Sequence, residues 1–146
     1  MELIPIKQTI EENQEFINIE NGRGGLDMTI EYYKTIGFNP PWIGYYARVN
    51  EILVGSGGYK GQPVNNKIEI AYGTFPDFRQ RGIGTEICKE LVVLALKTDP
   101  SIIITARTLT EINYSTKILE KNNFKLVGTV WDKDDGNVWE WVYSKI

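Results

Sequence analysis

Histidine is absent from this sequence of 146 residues. Its absence excludes the Ser-His-Asp and Cys-His nucleophile systems, the helical HExxH zinc sites and acid–base catalysis by imidazole. An enzyme with this composition has to use carboxylates, hydroxyls, amines, backbone amides or the reactivity of a cofactor. We therefore expect none of these histidine-dependent chemistries and no metal site.

Cysteine, long apolar runs and excess basic charge are scarce as well. The single cysteine, Cys88, cannot form a disulfide within the chain, which is typical of proteins in a reducing compartment. The longest apolar run, residues 91–96, is far shorter than the ~20 residues of a membrane span, and the N-terminal residues lack the apolar stretch of a signal peptide. A net charge of -3 indicates no basic surface for nucleic acid. These features predict a cytoplasmic protein that binds neither nucleic acid nor membranes.

The length suits a single domain over residues 1–146. Thr9 with Glu12 is typical of a capping box at the start of a helix, and Asp27 is a candidate cap for a second helix. Hydrophobic periodicity and turn residues predict strands at 2–7, 42–49, 52–59, 67–75, 102–107, 124–131 and 137–143, and helices at 9–20, 27–37, 82–96 and 111–122. The order β, α, α, β, β, β, α, β, α, β, β predicts an α/β (α+β mixed) fold.

The most informative segment is residues 68–85, in which a strand leads through a short loop into Arg-x-x-Gly-x-Gly and then into a long helix. Gly82 and Gly84 let the backbone approach a ligand, and the free amides of the first helical turn lie at the positive end of the helix dipole. Arg79 and Arg81 add full charges. The arrangement favours a pyrophosphate ligand, and a tight loop whose glycines serve only geometry is the alternative.

Residues 79–84 match the (Gln/Arg)-x-x-Gly-x-(Gly/Ala) motif of the GNAT superfamily of N-acetyltransferases, which the chain resembles over essentially its whole length. Residues 74–78 and 119–124 also look like that family. The segments 55–58, 69–72 and 134–141 look most like the branch that includes ribosomal-protein alanine N-acetyltransferases. The resemblance implies a GNAT-like single domain with a twisted mixed, largely antiparallel sheet flanked by helices.

The resemblance also implies acetyl-CoA as co-substrate. Backbone amides of the arginine–glycine loop would hold the CoA pyrophosphate, main-chain groups at Thr74 and Phe75 would pair with the pantetheine arm, and one amide there would stabilise the oxyanion. The family's CoA-contacting Asn corresponds to Ile112 here, with Asn113 one place later. The implied cofactor-binding residues are Thr74, Phe75, Arg79, Arg81, Gly82, Ile83, Gly84, Thr85 and Asn113.

Two residues are candidates for catalysis. Glu69 lies on the strand before the loop, where the family often places a base, and burial among apolar side chains would strengthen it as a base. The alternative is an ion pair with Lys67, Lys7 or Arg48. Ser115 matches a hydroxyl that many relatives carry and would contact the sulfur, or else it bonds the helix backbone. The family's usual general-acid Tyr is Leu119 in this sequence.

We therefore expect acetyl transfer from acetyl-CoA to a primary amine by direct attack on the thioester. The acceptor is a small molecule, a protein N-terminus or a lysine, and a homodimer is compatible with the sequence. One alternative is a domain that binds acyl-CoA without turnover. Another is an interaction domain in which the arginine loop meets phosphorylated or acidic partners.

Several other residues carry weaker signals. The glycines at 55, 57, 58 and 61 favour a β-bulge, with room for an acceptor as the alternative. Packing is the favoured role of Trp42, Tyr45 and Tyr46, although these residues are also candidates for lining an acceptor cleft. The aspartates at 132, 134 and 135 resemble a metal cluster, but a hairpin turn with Gly136 is favoured.

Overall fold

The computed structural model describes residues 1–145. Its elements follow the predicted order: β1 (Glu2–Pro5), α1 (Gln14–Ile17), α2 (Leu26–Ile36), β2 (Gly44–Val49), β3 (Ile52–Tyr59), β4 (Lys67–Thr74), α3 (Ile83–Thr98), β5 (Ile103–Thr108), α4 (Tyr114–Lys121), β6 (Phe124–Asp132) and β7 (Gly136–Tyr143). Among these residues, no helix combines the length and apolar content needed to cross a membrane.

A single 7-stranded sheet has the order β1-β2-β3-β4-β5-β7-β6. Among the strands of residues 1–145, only β4 and β5 are parallel, and α3 connects them as a crossover. The β2–β3 hairpin turns at Asn50 and Glu51, which both have positive φ, and the β6–β7 hairpin turns into Gly136. The predicted fold class, a largely antiparallel mixed sheet flanked by helices, is confirmed.

The two helices predicted to start at residues 9 and 111 begin later, and their caps explain where. The Thr9 hydroxyl accepts the hydrogen bond of the Glu12 N–H at 3.2 Å, but only a 3₁₀ turn and the short α1 follow. α4 begins after Asn113, whose side chain accepts from the Thr116 N–H while the Thr116 hydroxyl accepts from the Asn113 N–H. This reciprocal pair fixes the start of α4, so residues 111–113 are not helical.

α2 also starts differently from the prediction. Gly25 occupies its cap position and makes no side-chain cap, so the prediction that Asp27 caps this helix is wrong. Asp27 lies in the first turn instead, where its negative charge interacts favourably with the helix dipole. The predicted end of α2 is confirmed, because Gly37 has a φ of 85° and stops the helix.

β4 and β5 separate part-way along their length. Their pairing ends at Ile70, whereas β4 stays paired with β3 up to Thr74. The Phe75 N–H donates to the Val54 carbonyl of β3. Because the N–H and C=O groups of successive residues in a strand point to opposite neighbours, those of the odd-numbered residues of β4 face β3. The N–H and C=O groups of Tyr72 and Thr74 therefore face the gap that opens between β4 and β5.

The glycines of β3 lie where α3 approaches the sheet closely. A Cβ at Gly57 would come within 2.9 Å of Ile87 and 3.0 Å of Leu91, and a Cβ at Gly55 would lie 2.5 Å from the Gly73 carbonyl oxygen. Close packing against α3 and β4 accounts for Gly55 and Gly57. A bulge is also present at this place, because the pairing with β2 steps from Ala47–Gly55 to Arg48–Leu53 and leaves Val54 of β3, next to Gly55, as the extra residue.

Candidate active site

A cavity of about 690 Å³ opens at the N-terminus of α3; we call it the helix-terminus cavity. The first hydrogen bond of α3 runs from the Glu86 N–H to the Gly82 carbonyl at 3.1 Å. The N–H groups of Ile83, Gly84 and Thr85 therefore have no acceptor within the helix. These donors, together with the positive end of the helix dipole, form a binding site for an anionic group.

The loop before α3 has a backbone that only certain residues adopt easily. Gln80 and Gly82 have φ of 64° and 79°, in the left-handed region, and a glycine at the second position avoids the strain of a side chain there. Gly84 is buried because α4 lies against it: a Cβ at this position would come within 2.7 Å of Ile118 Cδ1. The loop geometry thus brings α3 and α4 together around the cavity.

Most of the predicted site residues line this cavity. The structure brings together Thr74, Arg79, Gly82, Ile83, Gly84, Thr85 and Ser115. Arg79 also donates from Nε to the Thr74 carbonyl at 3.4 Å, which ties the loop to the end of β4. The sequence motif and the cavity therefore coincide at the junction of β4 with α3.

Three predicted residues are placed elsewhere, each for a physical reason. The Phe75 N–H is already bonded to β3, at 2.9 Å from the Val54 carbonyl, so the expectation that it pairs with a ligand is wrong. The Arg81 guanidinium lies 5.8 Å from the ring centroid of Phe78 and does not line the cavity. Asn113 uses its side-chain oxygen to cap α4, and it lies outside the helix-terminus cavity.

Sequence reasoning missed several residues of the cavity. Tyr72 contributes the backbone groups that face the strand gap, and a strict alternation argument from the β3 pairing would have found it. α4 adds two cations, Lys117 and Lys121, to the cavity. Their i,i+4 spacing places them on one face of the helix, and this spacing was the sign in the sequence that they lie together. The further lining residues are Gln80, Tyr114, Lys117, Ile118 and Lys121.

A second cavity, of about 400 Å³, lies between α2 and the sheet; we call it the α2 cavity. It borders the same stretch of β4 as the helix-terminus cavity, at Tyr72 and Gly73. Trp42, Tyr45 and Tyr46 belong to the packed core, since the Tyr45 and Tyr46 hydroxyls donate to backbone carbonyls and Trp42 packs on the Tyr59 ring. The packing role is confirmed for Trp42 and Tyr46, whereas Tyr45 packs in the core and also lines the α2 cavity.

Glu69 lies on the opposite face of β4 from α3 and between two cations. Lys60 Nζ is 2.8 Å from Glu69 Oε2, and Arg107 Nε is 3.9 Å from Glu69 Oε1. The expectation of apolar neighbours is therefore wrong, and neither ion-pair partner is one that the sequence suggested. Burial disfavours the charge of Lys60, but the hydrogen bond and the charge of Glu69 outweigh it, so the pKa of Lys60 lies above its usual value.

Arg107 connects this pair to the β6–β7 hairpin. Its Nη1 lies 2.9 Å from Asp132 Oδ2 and its Nε lies 3.4 Å from Glu140 Oε1. Asp132 also accepts the backbone N–H groups of Asp134 and Asp135, and these bonds together with Arg107 lower the pKa of Asp132 to about 2. The favoured hairpin role of the aspartates is confirmed, and residues 1–145 contain no cluster with metal-binding geometry.

The family comparison agrees with the geometry. Residues 1–125 match the model of the GNAT acetyltransferase domain. The chain belongs to the GNAT acetyltransferase family. No match is found among curated proteins.

Solved structures of other acetyltransferases share the fold at low sequence identity. A variant of spermidine N-acetyltransferase SpeG from Vibrio cholerae has a TM-score of 0.69 at 12% identity, covering 98% of this chain and 94% of that chain. Aminoglycoside acetyltransferase AAC(6')-Ib in complex with coenzyme A has a TM-score of 0.67 at 15% identity, covering 99% of this chain and 93% of that chain. RimL, a ribosomal-protein α-N-acetyltransferase in complex with coenzyme A, has a TM-score of 0.64 at 15% identity, covering 84% of this chain and 71% of that chain. The fold is thus common to acetyltransferases named for three different acceptors.

This GNAT chain departs from the family pattern at its general-acid position. Leu119, which stands where many members carry Tyr, is only 1% exposed and packs in the core. It therefore offers the cavity neither a hydroxyl nor any other polar group. Ser115, one turn earlier on α4, does line the helix-terminus cavity.

Proposed function

We propose that this chain, residues 1–146, is a single catalytic domain that transfers the acetyl group of acetyl-CoA to a primary amine. One observation carries the proposal: the unpaired N–H groups of α3 adjoin the unpaired edge of β4 in a single cavity. The N–H groups of α3 suit a diphosphate, and the unpaired edge of β4 suits an extended chain that contains amide groups. Acetyl-CoA contains both.

The residues of the helix-terminus cavity would bind the two parts of the substrate separately. The N–H groups of Gly82, Ile83, Gly84 and Thr85 would bind the diphosphate, and the charges of Arg79, Lys117 and Lys121 would add to the attraction. Tyr72 and Thr74 would pair with the pantetheine amides as an added strand. An N–H of this free edge also faces the thioester oxygen, where it stabilises the oxyanion.

The transfer needs no covalent intermediate with the protein. The amine nitrogen attacks the thioester carbon, the carbon–sulfur bond breaks, and the amine loses a proton while the departing sulfur gains one. One free thiol therefore appears for each amide formed. Ser115 lies on the wall of the cavity, and we assign it a hydrogen bond to the departing sulfur. Proximity and orientation supply much of the rate because the thioester is already activated.

Thiol release is the experiment that tests this proposal. Purified protein with acetyl-CoA and a panel of primary amines should release thiol in proportion to amide formed, and calorimetry should show acetyl-CoA binding below millimolar concentration. Binding without release on any amine would favour the alternative of a non-catalytic acyl-CoA-binding domain. Absence of binding would reject both and favour the interaction domain.

We also assign to Glu69 the role of accepting the amine proton. Its position supports this role, since it shares a face of β4 with Ala71 and Gly73, which border the α2 cavity. Lys60 and Arg107 oppose the role because they already contact the carboxylate, with Lys60 Nζ 2.8 Å from Oε2 and Arg107 Nε 3.9 Å from Oε1. The amine, directly or through water, has to share this carboxylate with the two cations.

Glu69→Gln is therefore expected to lower kcat roughly tenfold, below the usual range for a well-placed base. The loss should be largest at low pH, where the amine is mostly protonated, and the affinity for acetyl-CoA should stay nearly unchanged. Glu140→Gln is the matched control, because it removes a carboxylate from the same Arg107 but lies on β7. A pH–rate profile of Glu69→Gln that equals the wild-type profile would remove Glu69 from the mechanism.

The cytoplasm is the location we propose for this enzyme. The free and buried thiol of Cys88 supports a reducing compartment, because a secreted protein of this size more often carries disulfides. A second copy of the chain is a further partner compatible with the sequence, and sedimentation of the purified protein distinguishes monomer from homodimer.

A further inference from the structure

The α2 cavity has a floor of small residues. Gly73 and Ala71 of β4 lie on the sheet face away from α3, and their partners in β3 are Ser56 and Gly58. A Cβ placed on Gly73 would meet no atom within 4 Å, so this part of the floor borders open space. The floor also reaches the free edge of β4, where the thioester is proposed to lie. A molecule in this cavity would therefore sit next to the electrophilic carbon.

The walls of the α2 cavity are largely apolar. Ile6 and Ile36 contribute aliphatic surface, and α2 adds the rings of Tyr32 and Tyr33. The Tyr33 hydroxyl donates to the Ile6 carbonyl at 2.7 Å and accepts from the Gly44 N–H at 2.9 Å, so its polar atom is already occupied. Burial raises the pKa of Tyr33 to about 12, which keeps the phenol neutral. The Tyr32 ring, 43% exposed, stands at the opening.

Charge in the α2 cavity is limited to one neutralised cation. Within residues 1–145, no carboxylate lines it, and its one charged lining residue is Lys60. The Lys60 ammonium is held by Glu69 at 2.8 Å. A polycation in this cavity would lose its hydration, and the one carboxylate close to the cavity, Glu69, is already shared by Lys60 and Arg107, so burial of further positive charges is unfavourable. An uncharged apolar body would instead gain free energy by leaving water.

A polar cavity of about 290 Å³ on the other side of Lys60 is the competing place for an acceptor. Its carboxylates are Asp132 and Asp135, and its cations are Lys60 and Arg107. Both Asp132 oxygens already accept hydrogen bonds from Arg107 and from the hairpin backbone. Asp135 is thus the carboxylate of this cavity that could hold an ammonium group, and it is exposed to solvent, which screens its charge.

We infer, on the basis of the proposed acetyl transfer, that the acceptor is a monoamine with an uncharged apolar body that occupies the α2 cavity, and not a polyamine or another polycation. The amine end lies toward Gly73 and the thioester, and the body lies over the small residues against α2. A ring of about six carbons on a short alkyl chain is compatible with about 400 Å³.

Steady-state kinetics with ethylamine, 2-phenylethylamine and spermidine tests this inference. We expect kcat/KM to rise roughly 30-fold from ethylamine to 2-phenylethylamine, because the ring leaves water, and to gain nothing with spermidine. A preference for spermidine, or equal values for the three amines, would overturn the inference.

A binding measurement separates this inference from the proposed function. Calorimetry on the protein saturated with CoA needs no turnover, and we expect it to show tighter binding of 2-phenylethylamine than of spermidine. If thiol release fails with every amine but this order of affinity holds, the proposed function is wrong and the ligand class stands. If thiol is released and 2-phenylethylamine does not bind more tightly, the ligand class is wrong.

Variants locate the acceptor within the molecule. Ala71→Leu fills the α2 cavity, so it should lower kcat/KM for 2-phenylethylamine about tenfold and leave acetyl-CoA affinity unchanged. Thr129→Leu, at an exposed position of β6, is the matched control and should change neither. If Asp135→Asn lowers kcat/KM and Ala71→Leu does not, the acceptor lies in the polar cavity and the inference is overturned.

A charge placed at the opening gives an independent test. Tyr32→Glu adds a carboxylate at the exposed edge of the α2 cavity, and Tyr32→Gln is its neutral control. We expect the glutamate variant to improve kcat/KM for spermidine severalfold relative to the glutamine variant. Equal values for the two variants would show that amines do not reach the thioester through this opening and would contradict the placement of the acceptor in the α2 cavity.

Discussion

Thr85→Glu is expected to weaken acetyl-CoA binding about 100-fold while leaving the fold at least as stable. Thr85 lies in the first turn of α3 and lines the helix-terminus cavity, so the new carboxylate would face the diphosphate. Repulsion between these charges at the edge of the protein amounts to about 3 kcal/mol. The same carboxylate interacts favourably with the N-terminal helix dipole, which contributes about 0.5 kcal/mol to folding.

The opposite signs of the two effects make this variant diagnostic. Calorimetry gives the dissociation constant, and urea unfolding gives the free energy of unfolding. Thr85→Gln, which has the same shape without the charge, is the control and should bind acetyl-CoA within about threefold of wild type. If Thr85→Glu binds acetyl-CoA as tightly as Thr85→Gln, the diphosphate does not lie at the α3 terminus.

Gly55→Ala is expected to destabilise the fold by about 3 kcal/mol, at the upper end of overpacking effects. The added Cβ would lie 2.5 Å from the Gly73 carbonyl oxygen and 2.8 Å from Ile87 Cδ1, and a backbone atom cannot move aside as a side chain does. Gly73→Ala is the control on the adjacent strand. Its Cβ would point into open space, so the change should alter stability by less than about 1 kcal/mol.

Urea unfolding of the two alanine variants measures this difference. The expected order is Gly55→Ala far below wild type and Gly73→Ala close to it. Equal stability of the two variants would show that α3 and β4 do not approach β3 as closely as the structure indicates. This approach matters for function because it fixes the start of α3 beside the free edge of β4.

The loop and the helix that form the helix-terminus cavity were predictable from local sequence. Gly82 and the apolar periodicity of α3 act within a few residues, so their consequences follow from the residues alone. The order of the elements was predictable for the same reason. The cap at Asn113 was also local, but Asn-x-x-Thr is a weaker signal than Thr9 with Glu12, and the start of α4 was misplaced.

The surroundings of Glu69 were not predictable, because they are set by pairing between strands. Lys60, which follows the last residue of β3, contacts Glu69 from one side. Arg107 contacts it from β5, the parallel neighbour of β4 that the α3 crossover connects to it. No local pattern indicates either register. The same reason explains why main-chain groups of both Thr74 and Phe75 were expected to pair with a ligand, whereas the Phe75 N–H is bonded to β3.

Amide hydrogen exchange, with and without acetyl-CoA, tests the central claim most directly. In the free protein the N–H groups of Ala71, Gly73 and Phe75 should exchange slowly because they face β3, whereas those of Tyr72 and Thr74 should exchange faster. Saturating acetyl-CoA should slow exchange at Tyr72 and Thr74 and leave the other three nearly unchanged. Slowed exchange elsewhere in the chain, with Tyr72 and Thr74 unaffected, would contradict the account of β4 as the edge that binds the substrate.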